Sequence, residues 1–193
     1  GGTILIKEDN NHVENIWMGL SPEGDSLEFR DPGDPSRLAG GGISVIANNN
    51  VISGTVVAGA TGRAIDIQGD DNLVTGNFIG TRADGTVPAV DSNIQCLRSL
   101  TYDPANWYGG WGIQMSGTGN VIAQNVIAGL HITQSANDTP PMALEISGSD
   151  HIIGNNLIGV DAALNEVGVC GIGLLVSGTN NSIQRNAFVQ TRK

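Results

Sequence analysis

The 193 residues carry a net charge of −10, with only 15% charged and 4% aromatic residues. No basic stripe is present to displace counterions from phosphates, which excludes nucleic acid as a partner. No run of about 18 apolar residues is present either, which excludes a membrane-spanning helix. The length suits one domain with an aliphatic core, and 28 Gly with many Asn suit tight turns, because both tolerate left-handed backbone angles.

Along the chain one short pattern returns six times. It reads "NHVENIWM" from Asn11, "NVISGTVV" from Asn50, "NLVTGNFI" from Asn72, "NVIAQNVI" from Asn120, "HIIGNNLI" from His151 and "NSIQRNAF" from Asn181. A repeat of this kind predicts a stacked solenoid, one unit per rung. Each rung begins with a strand before the Asn. Its inward pairs are Ile4 and Ile6, Ile43 and Val45, Ile65 and Ile67, Ile113 and Met115, Leu144 and Ile146, then Leu174 and Val176. The spacing is i, i+2, the strand period. Polar turns such as "QGDD", "SGTG" and "SGSD" follow.

After the Asn come two further apolar columns. Val13, Ile52, Val74, Ile122, Ile153 and Ile183 form one; five residues later stand Met18, Val57, Ile79, Ile127, Ile158 and Phe188. An odd interval cannot point both columns inward from one flat strand, so the chain must turn between them. Gly54, Gly76 and Asn155 stand where that turn is needed. Numbered from residues 11, 50, 72, 120, 151 and 181, the units lie 39, 22, 48, 31 and 30 residues apart. The excess follows the last strand of a rung, so insertions 19–40, 81–110, 129–141 and 160–168 leave from one corner. Asn11, Asn50, Asn72, Asn120 and Asn181, with His151 in the fifth unit, and Asn77, Asn125, Asn156 and Asn186 form two columns. Amides stacked about 4.8 Å apart can hydrogen-bond along the stack.

The "NxIxGNxIG" rungs, the "IGTRADGT" extension and the "GIxxxGxxN" first strand resemble right-handed parallel β-helix repeat proteins of the pectate-lyase-like superfamily. The resemblance spans almost the whole chain. It implies one all-β domain over 1–193, a single-stranded right-handed parallel β-helix of about six coils. It does not fix an activity, because one fold serves many functions.

In polysaccharide-cleaving members the resemblance implies carboxylates grouped on a strand face, with calcium and a basic residue. The outward column of the first strand reads Leu5, Ser44, Asp66, Gln114, Glu145 and Leu175. Asp66 and Glu145 are two rungs and roughly 10 Å apart, at the upper limit for an inverting pair. Gln114 lies between them and the column holds no Arg or Lys, so the chain is read as non-catalytic. Asp70 and Asp71 sit in a turn stacked on Asn48 and Asn49, where calcium would find oxygens. Thr118 and Gly119 in the next rung favour turn chemistry there, and no cofactor is expected. The three histidines are scattered and suggest no zinc site.

Two outward columns are apolar: His12, Val51, Leu73, Val121, Ile152, Ser182, and Trp17, Val56, Phe78, Val126, Leu157, Ala187. Such columns contact either the chain's own insertions or a partner. The longest insertion is expected to hold Tyr102, Trp107, Tyr108 and Trp111, a sugar-stacking platform, a protein-contact patch or a cover over an apolar face. Cys96 and Cys170 form one bridge or stay as two buried thiols. The first and last rungs read as unpaired edges, with Thr3, Ile4, Leu5 and Ile6 at one end and Asn186, Phe188 and Gln190 at the other.

The expected function is therefore an extracellular or cell-surface structural protein that associates with itself, end to end or laterally, into a filament, sheath or other assembly. The alternative is a polysaccharide-binding or polysaccharide-cleaving module. Its platform would be Trp107, Tyr108 and Trp111, and its acids Asp66 and Glu145.

Overall fold

The computed structural model describes residues 3–26, 41–60, 62–87, 110–130, 142–189 and the backbone of 191–192. These residues form a right-handed parallel β-helix of six rungs, without α-helix. Sheet A stacks β1 (Ile4–Ile6), β4 (Ile43–Val45), β7 (Arg63–Gln68), β10 (Trp111–Thr118), β13 (Met142–Ser149) and β17 (Ile172–Thr179). Sheet B stacks β2 (His12–Glu14), β5 (Val51–Ser53), β8 (Leu73–Thr75), β11 (Val121–Ala123), β14 (Ile152–Gly154) and β18 (Ser182–Gln184). Sheet C stacks β3 (Trp17–Met18), β6 (Val56–Val57), β9 (Phe78–Ile79), β12 (Val126–Ile127), β15 (Leu157–Ile158) and β19 (Ala187–Phe188). All pairings are parallel, and the register joins the columns expected from sequence, as in Ile65 to Ile113 to Leu144 and Val74 to Ile122 to Ile153.

The inward columns of the three sheets meet in one aliphatic core, led by Ile43, Ile52, Ile65, Ile79, Ile113, Met115, Ile122, Ile127, Leu144 and Ile146. Between sheets B and C every rung turns through a left-handed residue: Asn15, Gly54, Gly76, Gln124, Asn155 and Arg185, with φ of 54–64°. That turn is how columns five residues apart both reach the interior. Between sheets A and B the glycines crowd one another. A Cβ on Gly148 would run into the Gly117 carbonyl, and one on Gly178 into the Gly148 carbonyl.

The Asn columns are buried ladders. At the A–B corner the backbone N–H groups of Asn11, Asn50 and Asn72 donate to Oδ1 of Asn50, Asn72 and Asn120 at 2.8, 2.9 and 2.7 Å. His151 continues the ladder with its ring. Its Nδ1 accepts the Asn120 N–H at 3.2 Å, Nε2 lies 3.1 Å from the Ser147 carbonyl, and its own N–H donates to Asn181 Oδ1 at 3.0 Å. At the B–C corner Asn125 Oδ1 accepts both the backbone and side-chain N–H of Asn77, at 3.0 and 2.9 Å. Its Nδ2 donates to the Val74 and Ala123 carbonyls and to Asn156 Oδ1. In the second rung Thr55 takes this position and turns its hydroxyl to the Ser53 carbonyl.

Insertions leave the C–A corner, and three of them form a ladder of their own. The turns at residues 19–26, 80–87 and 159–168 belong to rungs one, three and five. Ala83 N–H donates to the Gly24 carbonyl at 3.0 Å and Ala162 N–H to the Gly85 carbonyl at 2.9 Å, so alternate rungs are tied across the one between. Arg82 Nε donates to the Asp25 carbonyl. Asp161, fully buried, accepts from the backbone of Val87, Ala163 and Asn165. In the middle turn the Thr86 hydroxyl, and then its N–H, hold the Asp84 carboxyl below its ordinary value.

This ladder covers part of one of the two apolar columns. Val56 and Val126 of sheet C are 1% and 7% exposed, packed with Leu20, Ala58, Val87 and Ala128 in a second cluster. The cover over these two valines is the chain's own insertion. Phe78 packs against that cluster with its ring at Gly85, and the Trp17 ring leans on Gly24 while staying 51% exposed. One element escaped the sequence: β16 (Val169–Cys170) stacks on Leu130 and under β20 (Thr191–Arg192), beyond the sixth rung's sheet C strand.

Replacing Asn125 by Ala strands the buried Asn77 N–H and removes three donated bonds; it should cost about 3 kcal/mol, read as a lower urea midpoint. His151→Asn, which restores the ladder's usual acceptor, should shift stability by less than about 1 kcal/mol in the same assay.

Candidate functional site

The outward face of sheet A carries a cleft of about 540 Å³ where β7 and β10 begin. Thr3, Ser44, Arg63, Asp66 and Trp111 line it, with glycines and Ala60 between them. The backbone approaches closely here: Gly110 N–H donates to the Ala60 carbonyl and Trp111 N–H to the Gly62 carbonyl. A Cβ on Gly42 would strike the Arg63 carbonyl. These glycines let the backbones approach closely at the cleft.

Arg63 and Trp111 are paired in register, and the Arg63 guanidinium lies 5.5 Å from the centroid of the Trp111 ring. That is a cation–π distance. The same guanidinium approaches Asp66 Oδ2 at 3.5 Å, and Gln68 Nε2 donates to Oδ2 at 3.1 Å. Asp66 Oδ1 and Oε1 of its register neighbour Gln114 are both buried without a hydrogen-bond partner. Leaving a buried acceptor unsatisfied costs about 1–3 kcal/mol. Of the two, Asp66 lines the cleft, and Gln114 lies outside its lining.

The structure separates the sequence-predicted site residues. Asp66 is in the cleft. Glu145 is two strands away in the same column with Gln114 between, as its register requires, and the two acids share no hydrogen bond. Trp111 is the first residue of β10 and stacks with Arg63. Tyr102, Trp107, Tyr108, Cys96 and Gln190 lie outside the described residues. Cys170 is disulfide-bonded, and Cys96 is the one other cysteine of the sequence. Thr3 lines the cleft, Ile4 and Ile6 pack in or against the core, and Leu5 is exposed. Asn186 ends the second Asn ladder, and Phe188 is partly exposed on the sixth rung.

Asp70 and Asp71 serve the turn. Asp70 Oδ1 accepts the Thr118 N–H at 2.8 Å, as Asn48 Oδ1 accepts the Asp70 N–H and Asp9 Oδ1 the Asn48 N–H. Asp71 is a left-handed corner residue. Among the described residues no group of three or more His, Cys, Asp or Glu is placed to hold a metal ion.

Arg63 is the cleft residue that sequence reasoning missed. It stands three residues before Asp66, an odd interval that strand alternation assigns to the opposite face. The signal available was the cation at the strand start, where pairing has only begun.

No protein-family model, curated protein or solved structure matches the chain. The class rests on the fold: a parallel β-helix whose described residues include a glycine-lined cleft holding Arg63, Trp111 and Asp66.

The Arg63–Asp66 pair is partly exposed, at 39% and 16% for the two side chains, and exposed pairs contribute at most about 1 kcal/mol. Asp66→Asn should leave the thermal midpoint within a few degrees of the parent, measured by circular dichroism.

Proposed function

We propose that this chain is a non-catalytic β-helix of the cell exterior that recognises a neutral saccharide in the sheet A cleft. The convergence of Trp111, Arg63 and Asp66 on one wall carries the reading. An indole beside a fork of donors and a carboxylate suits a ligand with an apolar ring face and hydroxyls at its edge. The net charge of −10 argues for a neutral glycan over a polyuronate, because long-range repulsion opposes an anionic polymer. Asp66 is the one acid lining the cleft among the described residues, and Glu145 stands about 10 Å from it with an amide between them, which supports binding over cleavage. The Cys170 disulfide supports an oxidising location.

Titration calorimetry with neutral oligosaccharides and with oligogalacturonate tests this. A neutral glycan should bind, and Trp111→Ala and Asp66→Asn should each weaken it about tenfold or more. A binding constant unchanged by both substitutions, or preference for the uronate, removes the reading.

Self-association is the second reading, favoured by the apolar column of sheet B. Unlike that of sheet C, it lacks a covering hydrophobic cluster among the described residues.

A further inference from the structure

We propose that the sheet A cleft selects saccharides by linkage, taking chains whose sugars keep two hydroxyls free on adjacent ring carbons. This rests on the saccharide reading of the cleft and specifies what it recognises. Arg63 and Asp66 hold a donor and an acceptor side by side on one wall. Arg63 Nη1 lies 3.5 Å from Asp66 Oδ2, longer than a good N–H···O bond, so neither group saturates the other. Asp66 presents one oxygen. Its Oδ1 is buried, which leaves Oδ2 toward the cleft. Gln68 Nε2 donates to Oδ2 at 3.1 Å and fixes the carboxylate. A carboxylate oxygen accepts about two bonds, so Oδ2 keeps room for a further donor.

This couple sorts ligand groups by their hydrogen-bonding chemistry. An ammonium only donates, and Arg63 repels it. A carboxylate only accepts, and Asp66 repels it. An acetamido group does both, but its N–H and C=O point to opposite sides of a planar trans amide. Two hydroxyls on adjacent ring carbons stand close together on one edge, and each both donates and accepts. One donates to Asp66 Oδ2 while its neighbour accepts from Arg63. The C–H face of the same ring is left to the Trp111 indole, which strand register holds beside Arg63.

Linkage decides whether such a pair exists within a chain. A pyranose linked through O4 keeps O2 and O3 free, and these are adjacent. One linked through O3 keeps O2 and O4, which are not. Thr3 and Ser44 add single hydroxyls to the cleft, each able to meet any sugar oxygen, and so favour neither linkage. The bonds that discriminate are those to the charged groups, which are the stronger kind.

Calorimetry with the full chain tests the linkage rule. The probes are long neutral glucan, mannan and galactan chains linked through O4, and a glucan of matched length linked through O3. Long chains dilute the terminal sugars, which keep adjacent hydroxyls under either linkage. At least one O4-linked chain should bind about tenfold or more tightly per sugar than the O3-linked glucan. In Arg63→Met and in Asp66→Asn, both replacing partly exposed side chains, that ratio should fall toward one. A merely structural defect would weaken both linkages alike and leave the ratio unchanged. Absence of binding to every neutral chain overturns the saccharide reading together with this rule. Equal binding of the two linkages, tighter binding of the O3-linked glucan, or a preference that both variants retain overturns the linkage rule alone.

Discussion

The structure depends on one requirement: at each corner, a backbone N–H turned away from the sheets must find an acceptor on the adjacent rung. A strand ladder satisfies its own amides, but a corner amide points into the stack with no carbonyl opposite. Asn meets the need because its Oδ1 sits at the right reach to take that N–H. Its Nδ2 then returns a bond to the stack, as Asn72 does to the Ala47 carbonyl and Asn156 to the Ile122 carbonyl. The ladder is buried, so its bonds are not diluted by water, and a lost partner is expensive. His151 defines what is essential. An imidazole shares little with an amide except an acceptor nitrogen facing one way and a second nitrogen facing the other, and that is enough to carry the ladder through a rung.

A second ladder, built from insertions, changes how the rungs depend on one another. In a simple solenoid each rung contacts only its neighbours. Here the turns of rungs one, three and five bond to each other through Gly24 to Ala83 and Gly85 to Ala162, over the valines of rungs two and four. Gly85 has φ of 78°, and its missing Cβ leaves room for the Phe78 ring and Ala162. The even rungs thus carry small residues such as Ala58 and Ala128 at the exit of sheet C, and the odd rungs carry the turns that cover them. Opening one turn exposes apolar surface on a rung to which it does not belong.

The architecture was legible because a stacked coil converts sequence columns directly into spatial columns. The pairs at i, i+2 and the five-residue interval each correspond to one physical event, a strand face or a corner. The register follows once Asn50 is placed over Asn72. The insertion ladder was not legible, because its hydrogen bonds link segments 57 or more residues apart through backbone atoms, which leave little trace in side-chain chemistry. Arg63 was hidden for a different reason. At a strand's first residue the alternation of faces is not yet enforced by pairing on both sides, so a side chain three places from Asp66 still reaches it. Trp111 was assigned to the insertion by its aromatic neighbours, yet its N–H bond to Gly62 begins β10.

The position of the insertions gives the three faces different roles. A coil of three strands is a triangular prism, and every long insertion leaves the corner between sheets C and A. From that corner a segment can fold back over C, as the turns of the odd rungs do, or forward over A, beside the cleft. Sheet B is the opposite side, separated from the corner by the full width of either neighbour. Sheet C hides its apolar column under its own chain, and sheet A shows a polar cleft. Among the described residues the second cluster does not extend over the apolar column on B, where Val51, Leu73 and Val121 are half-buried and Ile152 is exposed. Because A and B diverge by the angle of the prism, a ligand in the cleft and a second chain on B would not compete for space.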